Sequence, residues 1–97
     1  MVRVIRVDEA ESTTITVDGE LYGDCLEPVE TSCIQAISEG KPVHLYLRSV
    51  STIDERGRAL LRDLAAKGVG LKASGLYNSY IVGEIQSAGM KKRPSSL

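Results

Sequence analysis

Hydrophobic periodicity in this chain switches three times from a strand-like period of two to a helical period of about three and a half. VRVIRV (2–7) and TTITVDGEL (13–21) are β-branched and roughly alternating. From Asp24 to Glu39, Leu26, Val29, Cys33 and Ile37 recur at helical spacing. VHLYLRSV then alternates cleanly, with Val43, Leu45 and Leu47 facing one way and His44, Tyr46 and Arg48 the other. A second helical stretch covers about Asp54 to Lys67 with Leu60, Leu61 and Leu64 inward. A short strand follows at 69–73, and a third helix over 78–88 has Ile81 and Ile85 inward. Strand–helix alternation of this kind demands right-handed parallel crossovers. The polar connection from Asp8 to Ser12 is short enough for a hairpin, so the first two strands are expected to be antiparallel.

A sheet covered by helices on both faces has strands that read as continuous apolar runs. These strands do not: Thr14, Thr16, His44, Tyr46, Arg48 and Lys72 fill the alternate positions. The expected fold is therefore α/β, a mixed sheet of four to five strands with an N-terminal antiparallel hairpin, parallel β–α crossovers and helices mainly on one face. The polar face reads as solvated, with weak self-association through it as the functional alternative. Residues 1–89 read as one domain and 90–97 (MKKRPSSL) as a disordered basic tail. In that tail Lys91, Lys92 and Arg93 ahead of Ser95 and Ser96 resemble a basophilic kinase site.

The 97 residues carry 12 basic and 13 acidic side chains, a net charge of −1. That balance points away from nucleic acid or an anionic membrane as partner. No window approaches the roughly 20 apolar residues of a spanning helix, and the N-terminus lacks a signal peptide's apolar run. Membrane insertion is not expected, and the expected location is cytoplasmic. With no Phe and no Trp, the core must be aliphatic. Cys25 and Cys33, if they share a helix, are about 12 Å apart along its axis, too far for a disulfide. They read as reduced, half-buried thiols. No metal or cofactor is expected.

Helix ends carry their own signals. Asp24 followed by Glu27 resembles a capping pair, Pro28 falls in a first turn, and Gly40 and Gly68 are stops. At the second helix either Asp54 is the N-cap, or Thr52 caps and Glu55 closes the box. In both cases a resident carboxylate satisfies the helix start, and a single glycine does not make a phosphate-binding loop. Gly57, inside a first helical turn, costs about 1 kcal/mol relative to Ala. Either the neighbouring strand-to-helix loop packs against it, or a partner approaches it.

An apolar strand, then I-D-x-x-G at Ile53–Gly57, then a Leu-rich helix, resembles the STAS domain of anti-sigma-factor antagonists and sulfate-transporter tails. ITVDGEL followed by a helix fits that family's second strand and first helix, so the resemblance spans roughly Thr13 to Ala88. It implies a non-catalytic regulatory module that docks on a protein, such as an anti-sigma factor, a kinase-like protein or a transporter component. Phosphorylated members carry a motif close to Asp-Ser-Ser-Gly, whose second hydroxyl takes phosphate. Here Asp54 and Gly57 match while Glu55 and Arg56 stand at the hydroxyl positions, and Tyr22 stands where those members often carry Asp. The resemblance thus implies a site without the usual phosphate switch.

The expected partner-binding set is Tyr22, Ser51, Thr52, Asp54, Glu55, Arg56, Gly57, Arg58 and Arg62. Asp63 and Lys67 form an i,i+4 pair on the same exposed helix side. The alternative function is a sensor that binds a small molecule or nucleotide at the same helix N-terminus. Catalysis is not expected. His44 is the only imidazole and lies mid-strand, away from the loops at the strands' carboxyl ends. Ser51 and Thr52 have no visible general base.

Overall fold

The computed structural model describes residues 2–91, with side chains at 2–75 and 78–86. Strand β1 (Val2–Asp8) and strand β2 (Thr13–Leu21) form the antiparallel hairpin, closed by Glu9 N–H donating to the Ser12 carbonyl at 2.8 Å. A 3-10 turn (Gly23–Cys25) leads into helix α1 (Leu26–Ser38). Strand β3 (Val43–Ile53), helix α2 (Glu55–Ala66), strand β4 (Gly70–Ala73) and helix α3 (Leu76–Lys91) complete the order. The sheet runs β1-β2-β3-β4, with β2/β3 and β3/β4 parallel. It is thus a four-stranded mixed sheet with one antiparallel hairpin, as the periodicity implied. Helix α3 reaches Lys91, so the expected tail begins inside that helix, and residues 92–97 lie outside the described residues.

One continuous aliphatic cluster joins the sheet to all three helices. Ile15, Val17 and Leu21 of β2, Leu45 and Leu47 of β3, Val29 and Cys33 of α1, Leu61 and Leu64 of α2 and Ile81 of α3 are fully buried. On the other face Thr14, His44 and Tyr46 are half-buried, and Arg48 and Lys72 are exposed. The helices therefore cover one side only, because in β2, β3 and β4 only one side is apolar enough to repay burial. Gly40 (φ 92°) and Gly68 (φ 98°) adopt the left-handed conformation that ends α1 and α2.

Strand β3 departs from simple alternation in its second half. Its core-facing residues are Val43, Leu45 and Leu47, then Val50 and Ile53. Val17 pairs with Leu47 but Asp18 with Ser49, and Gly19 pairs with Val50 but Glu20 with Thr52. Arg48 and Ser51 are thus each skipped. Such irregularities insert a residue into one strand and reset which face the next side chain meets. They bring Ile53 level with Leu21, so β2 and β3 deliver their following turns side by side.

Two expectations about helix α1 are corrected. Its N-cap position is Cys25, with no side-chain capping bond, so Asp24 and Glu27 form no capping pair. The 3-10 turn takes Asp24 out of the cap position and closes itself through Cys25 N–H to the Tyr22 carbonyl at 2.9 Å. The thiols are free, but only Cys25 is half-buried; Cys33 is fully buried, because it points from α1 into the aliphatic cluster.

Candidate functional site

The turn after β3 is built from within. Asp54 is extended (φ −86°, ψ −176°) and its carboxylate accepts from Gly57 N–H at 2.7 Å. Its carbonyl accepts from Arg58 N–H at 2.9 Å, and its own N–H donates to the Leu21 carbonyl at 3.1 Å. Asp54, not Thr52, is therefore the N-cap; Thr52 remains in the strand, exposed. The Leu21 carbonyl also decides the glycine. A Cβ at Gly57 would lie 2.5 Å from that oxygen and 3.0 Å from Ile53 Cγ2. Gly57 is buried against the neighbouring strand-to-helix connection, so it shapes the surface from behind and offers no contact of its own.

Above this support the predicted residues separate by what they touch. Tyr22, first after β2, is 40% exposed. A hydrogen bond with Glu20 holds its phenol above the ordinary tyrosine range. Glu55 is exposed and pairs loosely with Arg62 at 3.7 Å. Arg58 is half-buried and reaches across to α3, where Nη1 donates to Glu84 Oε1 at 2.8 Å. Ser51 donates weakly to the Gly19 carbonyl at 3.4 Å. Arg56 is exposed and has no ion pair among the described residues. The Asp63–Lys67 pair forms at 2.7 Å. Tyr22, Asp54, Glu55 and Arg56 are thus gathered at one end of the sheet, whereas Arg58 is committed to the α2–α3 contact.

One feature escaped the sequence reading. Between the start of α1 and the outer side of α2 lies an open groove of about 630 Å³. It is lined by Gly23, Asp24, Leu26, Glu27 and Glu30 on one side and Arg56, Ala59, Leu60 and Asp63 on the other. The available signal was that α1 contains no basic residue while carrying Glu27 and Glu30.

His44 lies ten positions before Asp54 in an extended strand, roughly 30 Å away. Its imidazole instead covers Gly70, where a Cβ would meet Nδ1 at 2.8 Å. Burial pushes the Cys33 thiol up to about 11, away from nucleophilic use at neutral pH. Among the described residues there is no cluster that could hold a metal ion, and no helix long and apolar enough to cross a membrane.

No family model matches the sequence, and no curated protein matches it. Solved structures do. The fold is similar to an anti-sigma factor antagonist from Mycobacterium paratuberculosis, with TM-score 0.75 and 18% identity, over 95% of this chain and 81% of that one. It is also similar to part of the protein Mglu, with TM-score 0.58 and 24% identity, over 74% of this chain but 19% of that one. At such identities the likeness is one of fold. The chain has a STAS-like fold, with the site turn at the junction of a strand's carboxyl end and a helix.

Proposed function

We propose that this chain is a non-catalytic, cytoplasmic regulatory module that docks on a protein partner through the 51–58 turn, Tyr22 and the exposed side of α2. The partner class is an anti-sigma factor, a kinase-like protein or a transporter component. The observation that carries the reading is a turn fixed internally by Asp54, Gly57 and the Leu21 carbonyl, presenting Glu55 and Arg56 to solvent. A preorganised polar surface of this kind loses little freedom on binding, and its charges set partner choice and association rate. Its likeness to an anti-sigma factor antagonist supports a protein as the partner. An arginine at 56 accepts no phosphate and fixes a positive charge where phosphorylation would create a negative one, so docking here is not toggled at that position.

Arg56→Glu is the clean test, since Arg58→Glu also breaks the bridge to Glu84. Quantitative capture from host lysate by the wild-type chain and by Arg56→Glu should show the specific partner reduced by about tenfold or more. Retention of every partner by the variant would show that the docking surface lies elsewhere. Incubation with lysate and ATP should leave Ser51 and Thr52 free of phosphate by mass spectrometry.

The nucleotide-sensor alternative has less support. The Gly57 N–H that would receive an anion is already bonded to the Asp54 carboxylate, and Glu55 adds like charge in the same turn. Millimolar nucleotide should leave the melting temperature unchanged.

A further inference from the structure

Carboxylates over much of this surface have partners. Asp8 and Glu39 meet Arg6, Asp18 meets Arg48, and Glu84 meets Arg58. Asp24, Glu27 and Glu30 break that pattern: none has an ion pair among the described residues. They stand on one wall of the α1–α2 groove, above a floor that includes Leu26 and Leu60. The same wall continues around α1 into a shallow depression of about 570 Å³, where Ile34 is 40% exposed beside Glu27 and Glu30. The groove lining as a whole holds four carboxylates against the single guanidinium of Arg56. Of these four only Asp63 has an ion pair among the described residues, with Lys67 at 2.7 Å, so three stand unpaired.

From this geometry we infer that the α1–α2 groove receives a cationic amphipathic helix of the partner protein, its Lys and Arg heads on Asp24, Glu27 and Glu30 and its apolar side on Leu26, Ala59 and Leu60. The inference rests on the docking reading above and names the chemistry of what docks. Apolar groove residues beside a wall of unpaired carboxylates suit an amphipathic helix, whose apolar and charged residues fall on separate faces. The unpaired carboxylates supply complementarity of one sign, and Arg56 on the α2 wall supplies the opposite sign, so an acidic partner residue accompanies the basic run.

Two defined peptides test it, one of leucine and lysine in an amphipathic helical pattern and one with glutamate in place of lysine. Each is titrated into the full-length, isotope-labelled chain and followed by amide NMR. The leucine–lysine peptide should shift amides of 24–34 and 56–63, bind about tenfold more weakly when ionic strength rises from low to physiological, and lose binding in Glu27→Lys/Glu30→Lys. The leucine–glutamate peptide should not bind. Arg56→Glu should strengthen the lysine peptide, which has no acidic residue to lose, while weakening capture of the natural partner. Shifts centred elsewhere, equal binding of both peptides, or unchanged binding by Glu27→Lys/Glu30→Lys would overturn the inference. So would groove amides that move with protein concentration alone, which would make a second copy the occupant. If Arg56→Glu still abolishes partner capture while Glu27→Lys/Glu30→Lys leaves it intact, only the groove assignment fails. If neither variant loses the partner, the docking reading fails with it.

Discussion

Helices α1 and α2 follow the neighbouring parallel strands β2 and β3, and they start in opposite ways. Helix α2 begins abruptly: an extended Asp54 caps it, and a buried Gly57 lets the Leu21 carbonyl approach. Helix α1 is entered through a 3-10 turn, and its N-cap has no side-chain bond. Its acidic residues face solvent and the groove instead of the helix's own N–H groups. One helix start spends its carboxylate on rigidity, and the other leaves its carboxylates free for something outside the chain. Acidic residues at a helix start are therefore not interchangeable: backbone conformation at the cap decides whether the charge is internal or available.

Substitutions can break this contrast. Gly57→Ala should be the most damaging, because the new Cβ meets a backbone oxygen that cannot move without disturbing the Asp54 N–H bond. A loss of about 1–3 kcal/mol in denaturant unfolding is expected, despite alanine's better helix propensity. Asp54→Ala should cost about 1 kcal/mol, the usual loss of a helix cap. Asp24→Ala, which removes no cap, should stay within about 0.5 kcal/mol of wild type. An Asp24→Ala loss matching that of Asp54→Ala would erase the distinction between the two starts.

The thiols sharpen the same contrast along α1. Cys25, at the half-open start, should alkylate in the native state, while Cys33, buried and pushed up to about 11, should react only on unfolding. Mass spectrometry after timed iodoacetamide treatment distinguishes them. The smallest effect is expected from acid. A hydrogen bond from Arg48 holds the Asp18 carboxyl below its ordinary value, and one from Arg6, with a second from Thr13, does the same for Asp8. Depressed carboxylates contribute stability that is present above the unfolded-state pKa, about 3.9, and is lost as pH falls through the lower folded value. Stability should therefore be flat with respect to these groups near neutrality and decline below about pH 4. Arg48→Ala should reduce that decline, which an acid titration by circular dichroism would show.

Much of the architecture was legible because burial on one side of a sheet leaves an unambiguous mark. Strict alternation in Val43–Arg48 and helical spacing in Leu26–Ile37 gave the elements and the uncovered face. The second half of β3 was not legible, since Val50 and Ile53 follow the pairing irregularities opposite β2 and not any local period. Of the candidate site, Asp54 and Gly57 were readable as a cap and a close approach, although the sequence left open what approached. The false capping pair at Asp24 and the engagement of Arg58 with Glu84 were not readable. Each depends on groups distant in sequence or on a backbone turn with no side-chain signature.

By itself the sequence determined the strand and helix periods, the aliphatic core and the absence of a hydroxyl at position 56. Those are properties of single positions and short windows. Tertiary structure alone decided that the Leu21 carbonyl lies over Gly57, that Arg58 belongs to α3, and that three unpaired carboxylates form one wall of a groove. Each of these requires two separately folded segments to meet, and the distance between them is set by packing of the core beneath.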